Sequence, residues 1–508
     1  EGGILVDGGA GIQIADNAIT VLTTAPNDTG IALTGGATRV QVEENTIEGG
    51  TRGIAITGAG AAVSILDNIL DGSATGIALL APASGEIATN EITATGTGVS
   101  IGAVFTGSIR DNAIDGGAVG VSFDAAGAGA TVEDNLVHGA ATGIAILAAA
   151  DGRIARNDFS GGTTALHVAA AFAGTIESND LHGAQTGLRY AAAAAVGANR
   201  VHDNDYGVVA AVADPAGALG FVGGAEPNQI YANRIGVDVE GRMQGQHVFA
   251  NALGVIGSGI LGGDLLDHDN LIETNDWGVS GFGGPVQFNR IARNTIGISA
   301  AGGQLITHNL IYRNTFAGVQ TAGGVDVVGN TIYAPDGDAI GVYGTDVEIR
   351  NNILWAEQGV DILVGEWSEA GFASDANLLH ATGTGRLVHW RDRQFDDILD
   401  WQVDVGRFDL HSIGRTAVNP DWSEPRFVNR ALDDYRVLPL VAGQRFSSPS
   451  ADAAGAAAGM GAYGPTDGGR DRPCCVAGGP PDVGPGIRLR ARGWRYLENP
   501  PRGVACSV

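Results

Sequence analysis

Residues 53–112 read GIAITGAGAAVSILDNILDGSATGIALLAPASGEIATNEITATGTGVSIGAVFTGSIRDN, one short phrase repeated with small changes. Each copy holds two runs of alternating apolar residues, an Asn before a branched residue, and a Gly-rich turn. The Asn recurs at 17, 45, 68, 90, 112, 135, 157, 179 and 199, in steps of 28, 23, 22, 22, 23, 22, 22 and 20 residues. A near-constant period built from short strands predicts a solenoid, whereas a propeller blade needs about twice the length. Ile54 and Ile56, or Val99 and Ile101, sit two apart and therefore face one side of a strand. Parallel stacking then lays Ile on Ile and Asn on Asn every ~4.8 Å, so the stack encloses a core that no single coil has. The Asn belongs at a tight corner, bonding its own backbone and the Asn above and below. The pairs Gly49-Gly50, Gly116-Gly117 and Gly161-Gly162 suit turns of positive φ.

The Asn-x-(Ile/Leu/Val)…Gly-(Ile/Val) coil resembles the right-handed parallel β-helix superfamily, the pectate-lyase-like, carbohydrate-binding and sugar-hydrolase type repeats, over about residues 1–380. The resemblance implies an all-β fold of about 22-residue coils with an Asn ladder. It says little about function, because that fold carries lyases, hydrolases, epimerases, adhesins and proteins of no known activity. It also implies a secreted bacterial protein, extracellular or at the cell surface.

Three segments are expected: a solenoid over 1–382, a capping segment over 383–465, and a Pro/Gly/Arg-rich tail over 466–508. The cap resembles the closing segment of secreted bacterial β-helix proteins. It reads as a short amphipathic helix (Phe395, Ile398, Leu399 and Trp401 on one face), a D-x-H-S stretch and a P-x-F-V…D-Y-R stretch through Pro425, Phe427 and Tyr435. Asp409, His411 and Ser412 lie too close together in sequence to form a catalytic triad. Trp355 is expected to cover the stack.

The formal charge of −27 argues against nucleic acid and anionic membranes as partners. No run of apolar residues is long enough for a membrane-spanning helix, so no membrane insertion is expected. The chain opens within the repeat, with no capping coil before Gly2, which predicts an exposed β edge needing cover. Seven Arg against three Asp and one Glu give the tail +3 and leave −30 on the remainder. Its alternating Arg488, Arg490 and Arg492 give one basic strand face, suited either to folding back along its own acidic solenoid or to pairing with the edge of another subunit in assembly. Cys474 or Cys475 is the expected partner of Cys506 in a disulfide, leaving one thiol over.

Two functions follow as expectations. The first is a structural rod that associates end to end with copies of itself into a filament or surface layer. The second is a lyase, hydrolase or binder of acidic polysaccharide, with its cleft near residues 242–313. The cleft candidates are Asp267, His268, Glu273, Arg293, His308 and Arg313: carboxylates, imidazoles and guanidiniums serve acid–base chemistry on a uronate. Trp277 and Tyr312 are expected to stack on sugar rings, with Tyr333 a further aromatic. Inserted loops at 213–227 and 257–269 and two Asn five apart at one corner mark this region. No catalytic motif is complete, which favours the structural rod. No cofactor is expected. If the acidic positions beside the Asn, such as Asp67, Asp111 and Asp115, form a ligand ladder, Ca²⁺ is the cation that suits it. The commoner reading is a solvated outer face, and a two-His metal pair at His182 and His202 lacks a third ligand.

Overall fold

The computed structural model describes residues 3–437 apart from 23–24, 26, 128, 212–225, 264–268 and 422. It is a right-handed β-solenoid of about 16 turns. In the first half each turn has three runs, as in Thr38–Glu43, Thr46–Gly49 and Arg52–Ile56. The first runs stack into a nine-stranded parallel sheet from Ala10–Ala15 to Ala194–Gly197. The other two run the length of the rod. Ile31, Ile54, Ile77 and Val99 lie in register and are fully buried, so one apolar column fills the axis.

The corner Asn works as expected. Asn45 Nδ2 donates to Ile14 O, Glu43 O and Asn68 Oδ1, each at 2.9 Å, and its backbone N–H donates to Asn68 Oδ1 at 3.1 Å. That satisfies a buried amide and ties three turns together. The ladder passes through Gln246, where Asn228 Nδ2 donates to Oε1 at 2.9 Å, and continues to Asn377. There Ser412 Oγ accepts from the Asn377 backbone N–H at 2.8 Å and Asp409 Oδ1 accepts from its Nδ2 at 3.2 Å. Asp409 is fully buried and also accepts from Ser374, Ser412 and Trp401. His411 turns away to Asp375 at 2.7 Å. Asp409 and Ser412 thus end the ladder.

Most residues before a ladder Asn have positive φ, including Asp16, Glu44, Asp67, Thr89, Asp111, Asp134 and Arg156 at 53° to 58°. The acidic bias there fits a left-handed corner, which Asp tolerates better than most residues. The paired Gly residues also have positive φ, Gly49 at 74° and Gly50 at 82°.

Two Asn five apart do not share a corner. The three-residue strand Gln229–Tyr231 lies between Asn228 and Asn233, and Asn204, Asn233, Asn251, Asn275, Asn294 and Asn314 form a second ladder. Residues 257–261, expected in a loop, belong to the strand Leu253–Leu261.

On one run parallel pairing ends at Arg386–Trp390, against which Arg393–Phe395 pairs antiparallel, while on the neighbouring run Ile413–Gly414 adds one more parallel strand to Leu378–Ala381. The helix Ile398–Val405 follows, N-capped by Asp397 and closed by Gly406 at φ 62°. Ile398 and Trp401 are buried, but Leu399 is 55% exposed and Phe395 precedes the helix. Trp390, Phe395, Trp401 and Phe408 close the end of the stack. Trp355 instead points outward from the side. Among the described residues no helix is long and apolar enough to cross a membrane. The tail, with Arg488, Arg490, Arg492 and the three Cys, lies outside the described residues, as do Asp267 and His268.

Candidate functional site

The short strand after each ladder Asn has its middle residue in the core, so the residues on either side face outward. Two outward columns result. One runs Glu91, Ala113, Leu136, Asp158, Asp180, Arg200, Gln229, His247, Leu271 and Arg290. Beside it lie Thr93, Asp115, His138, Ser160, His182, His202, Tyr231, Phe249, Glu273 and Ala292. The second column continues through Tyr312, Tyr333, Trp355 and His380.

Exposure changes along this face. Glu91, Thr93, Asp115 and His138 are exposed, the residues from Asp158 to Glu273 are mostly half-buried, and those from Ala292 to His380 are buried. The cover is the segment 423–437, whose strands Phe427–Asn429 and Asp434–Val437 pair antiparallel. Tyr435 packs on Tyr312 and Tyr333 at 5.0 and 5.6 Å between ring centroids, and Phe427 stacks near Trp355 at 6.1 Å. Arg430 lies 4.1 Å over Trp355 and 5.2 Å over Tyr333, with Nη1 2.9 Å from Glu357. Ser423 Oγ meets His380 Nδ1 at 2.9 Å. Burial holds the His380 imidazole down at about 4 and pushes the Tyr333 phenol up to about 12.

The cleft expected around Arg293 and Arg313 is this cover's latch. Both guanidiniums pair with Asp433, Arg313 Nε at 3.0 Å. Arg293 also pairs with Glu273 Oε2 at 2.8 Å, and Glu273 Oε1 meets His247 Nε2 at 3.1 Å. The hydrogen bond from His247 holds the Glu273 carboxyl below its usual range, with help from Arg293. Glu273, Arg293 and Arg313 are therefore brought together, and the chain's own cap occupies them. Tyr312 is 4% exposed beneath Tyr435, so its ring has no face for a sugar. His308 sits at the other corner, stacked on Phe288 at 5.0 Å, with a short strand between it and Arg313. Trp277 lies on a different run, in register with Leu253 and Ile296, and is 36% exposed.

The open part of the face carries groups that the sequence showed only in part. His182 and His202 stack at 5.2 Å, His202 and Tyr231 at 4.8 Å, and Tyr231 and Phe249 at 4.9 Å. Carboxylates fix the imidazoles from the side: Asp158 Oδ1 to His182 Nε2 at 2.9 Å, and Asp180 Oδ1 to His202 Nε2 at 2.6 Å. Arg200 Nη2 donates to the Tyr231 hydroxyl at 2.8 Å. Following the third residue after each Asn through Gln246 would have revealed this column. At its N-terminal end a groove of about 470 Å³ is lined by Glu91, Thr93, Asp111, Asp115, Leu136 and His138. Asp111 and Asp115 both border it, while Asp67 lies at the left-handed corner two turns earlier. Among the described residues no three His, Cys, Asp or Glu side chains group as metal ligands.

Two family models match the chain. One, described as a right-handed beta helix region, covers residues 2–159, and one described as periplasmic copper-binding protein (NosD) covers 104–252. No curated protein and no solved structure matches. The second description raises copper, and the described residues within 104–252 do not fit it. The His182 and His202 rings are 2° from parallel, so their nitrogen lone pairs do not converge, and carboxylates already hold both Nε2 atoms. Met243, a soft ligand in principle, is fully buried in the core. The Asn ladder, the in-register apolar column and the two family matches agree: this chain is a right-handed parallel β-helix repeat protein.

Proposed function

We propose that the protein works outside the cytoplasm and binds an extended polysaccharide along the open part of its short-strand face. The observation that carries this reading is the line of polar groups from Glu91 to His247, which the cap leaves open. Carboxylates, hydroxyls, imidazoles and a phenol recur there at every coil, ~4.8 Å apart, beginning in the groove at Asp115 and His138. A polymer of similar repeat can make the same hydrogen bonds turn after turn. The stacked rings present their edges, so recognition there rests on hydrogen bonds more than on ring stacking. Asp115, Asp158 and Asp180 line the open columns, and Arg293 and Arg313 are held by Asp433, so a neutral chain suits the face better than a polyuronate. The family description of the central coils as periplasmic supports the location. End-to-end association draws less support, since an antiparallel strand and a helix close the C-terminal end of the stack.

Affinity electrophoresis of the full chain through gels cast with neutral, acidic and amino-sugar polysaccharides tests the reading. Retardation by a neutral polymer, reduced at least threefold in Asp180→Ala, is expected. Unretarded migration of folded protein in every gel would overturn it.

A further inference from the structure

Ser160 stands in the outward column between His138 and His182, one strand spacing from each. Its Oγ is 2.9 Å from His138 Nδ1. His138 is exposed, and Ser160 and His182 are half-buried. Asp115 precedes His138 in register, and its Oδ1 lies 3.5 Å from where a Cβ on Gly139 would stand, so the carboxylate leans over the coil that carries His138. On the other side the His182 ring is fixed by Asp158 at 2.9 Å. Asp115 and His138 line the groove, and Ser160 lies on the next coil beyond its His138 end. A hydroxyl bonded to an imidazole that can take its proton is the pair that activates a serine.

We propose that Ser160 is a nucleophile and His138 its general base, acting on carboxylic esters of small acyl groups such as those on acylated sugars. The Ser160 Oγ–H proton passes to His138 Nδ1 as Oγ bonds to the acyl carbon. The bond from that carbon to the alcohol oxygen then breaks, and the leaving alcohol takes the proton from His138. Water adds to the acyl-serine by the same route, releasing the carboxylic acid and restoring Ser160. His182, held by Asp158, stands on the next coil, on the opposite side of Ser160 from His138. Gly161 and Gly162, both at φ 77°, form the turn that follows and carry no side chain to shield Ser160.

The test uses the full chain with a fluorophosphonate probe and with p-nitrophenyl acetate, neither of which requires a polymer to bind. Expected are labelling that peptide mass spectrometry places on Ser160, a burst of nitrophenolate, and loss of both in Ser160→Ala. His138→Gln should slow labelling at least tenfold without changing the melting temperature. Folded wild-type protein left unlabelled at Ser160, or His138→Gln labelled at the wild-type rate, would overturn the assignment. Failure here leaves polysaccharide binding untouched, because gel retardation does not depend on Ser160 chemistry.

Discussion

One face of this rod has two fates. From Ala292 to His380 its outward columns are mostly aromatic or aliphatic and lie beneath the cap; from Glu91 to His247 they are mostly polar and open. The backbone is the same in both stretches: a three- or four-residue strand after a ladder Asn, in register with its neighbours. What differs is the side chain at two positions per coil. Tyr312, Tyr333 and Trp355 supply area that the chain covers with Tyr435 and Phe427, whereas Asp158, Asp180 and His182 keep contact with water. The solenoid thus sets a fixed grid, and the residues on the grid decide whether a segment of the chain or an outside ligand meets them.

Substitutions that remove the cover should show the largest effect. Tyr435→Ala empties a site that is fully buried against two tyrosines and should cost about 3–5 kcal/mol, read by chemical denaturation. If it costs no more than a change on the open face, the two stretches do not differ as described.

Acid should act on the covered stretch next. The His380 imidazole is held at about 4, below its ordinary 6.5, so between those values the unfolded chain binds a proton that the folded chain refuses. Stability from this group is complete above about 6.5 and is lost as pH falls toward 4, by up to about 3 kcal/mol. His380→Gln should flatten that acid limb, and an unchanged limb would assign the loss to other groups.

Asp433→Ala removes the latch on Arg293 and Arg313, both partly exposed, so about 1–2 kcal/mol is expected. Limited proteolysis should then cut within 423–437 sooner than in wild type. The smallest stability change belongs to the open face: Asp180→Ala should alter stability by less than about 1 kcal/mol, although it weakens polysaccharide retention. A large loss of stability would instead mark the His202–Asp180 pair as part of what holds the rod.

The sequence carried the rod itself. Period, apolar alternation and the corner Asn each repeat, and in a stack every repeat meets its own copy, so local pattern and long-range contact coincide. The cap did not repeat, and its contacts were illegible for that reason. Asp433 reaches Arg293 across 140 residues, and Arg430 accepts from Arg313 across 117, with no register to announce either pair. Arg293 and Arg313 could therefore be placed on adjacent coils from spacing, while their shared partner could not. The stack of His182, His202, Tyr231 and Phe249 was half visible. Steps of 29 and 18 residues around Asn228 broke the rhythm between His202 and Tyr231. In sequence the second ladder looks like a doubled corner, because a three-residue strand is too short to show alternation.

Hydroxyl-radical footprinting of the unliganded full chain measures the division of the face most directly, since Tyr, Trp, Phe and His side chains lie on both sides of it. Tyr231, Phe249 and His182 should be oxidised several times faster than Tyr312, Tyr333, Trp355 and His380, after correction for intrinsic reactivity. Equal rates across the two sets would show that the cap does not cover the C-terminal coils, and the division into covered and open stretches would be wrong.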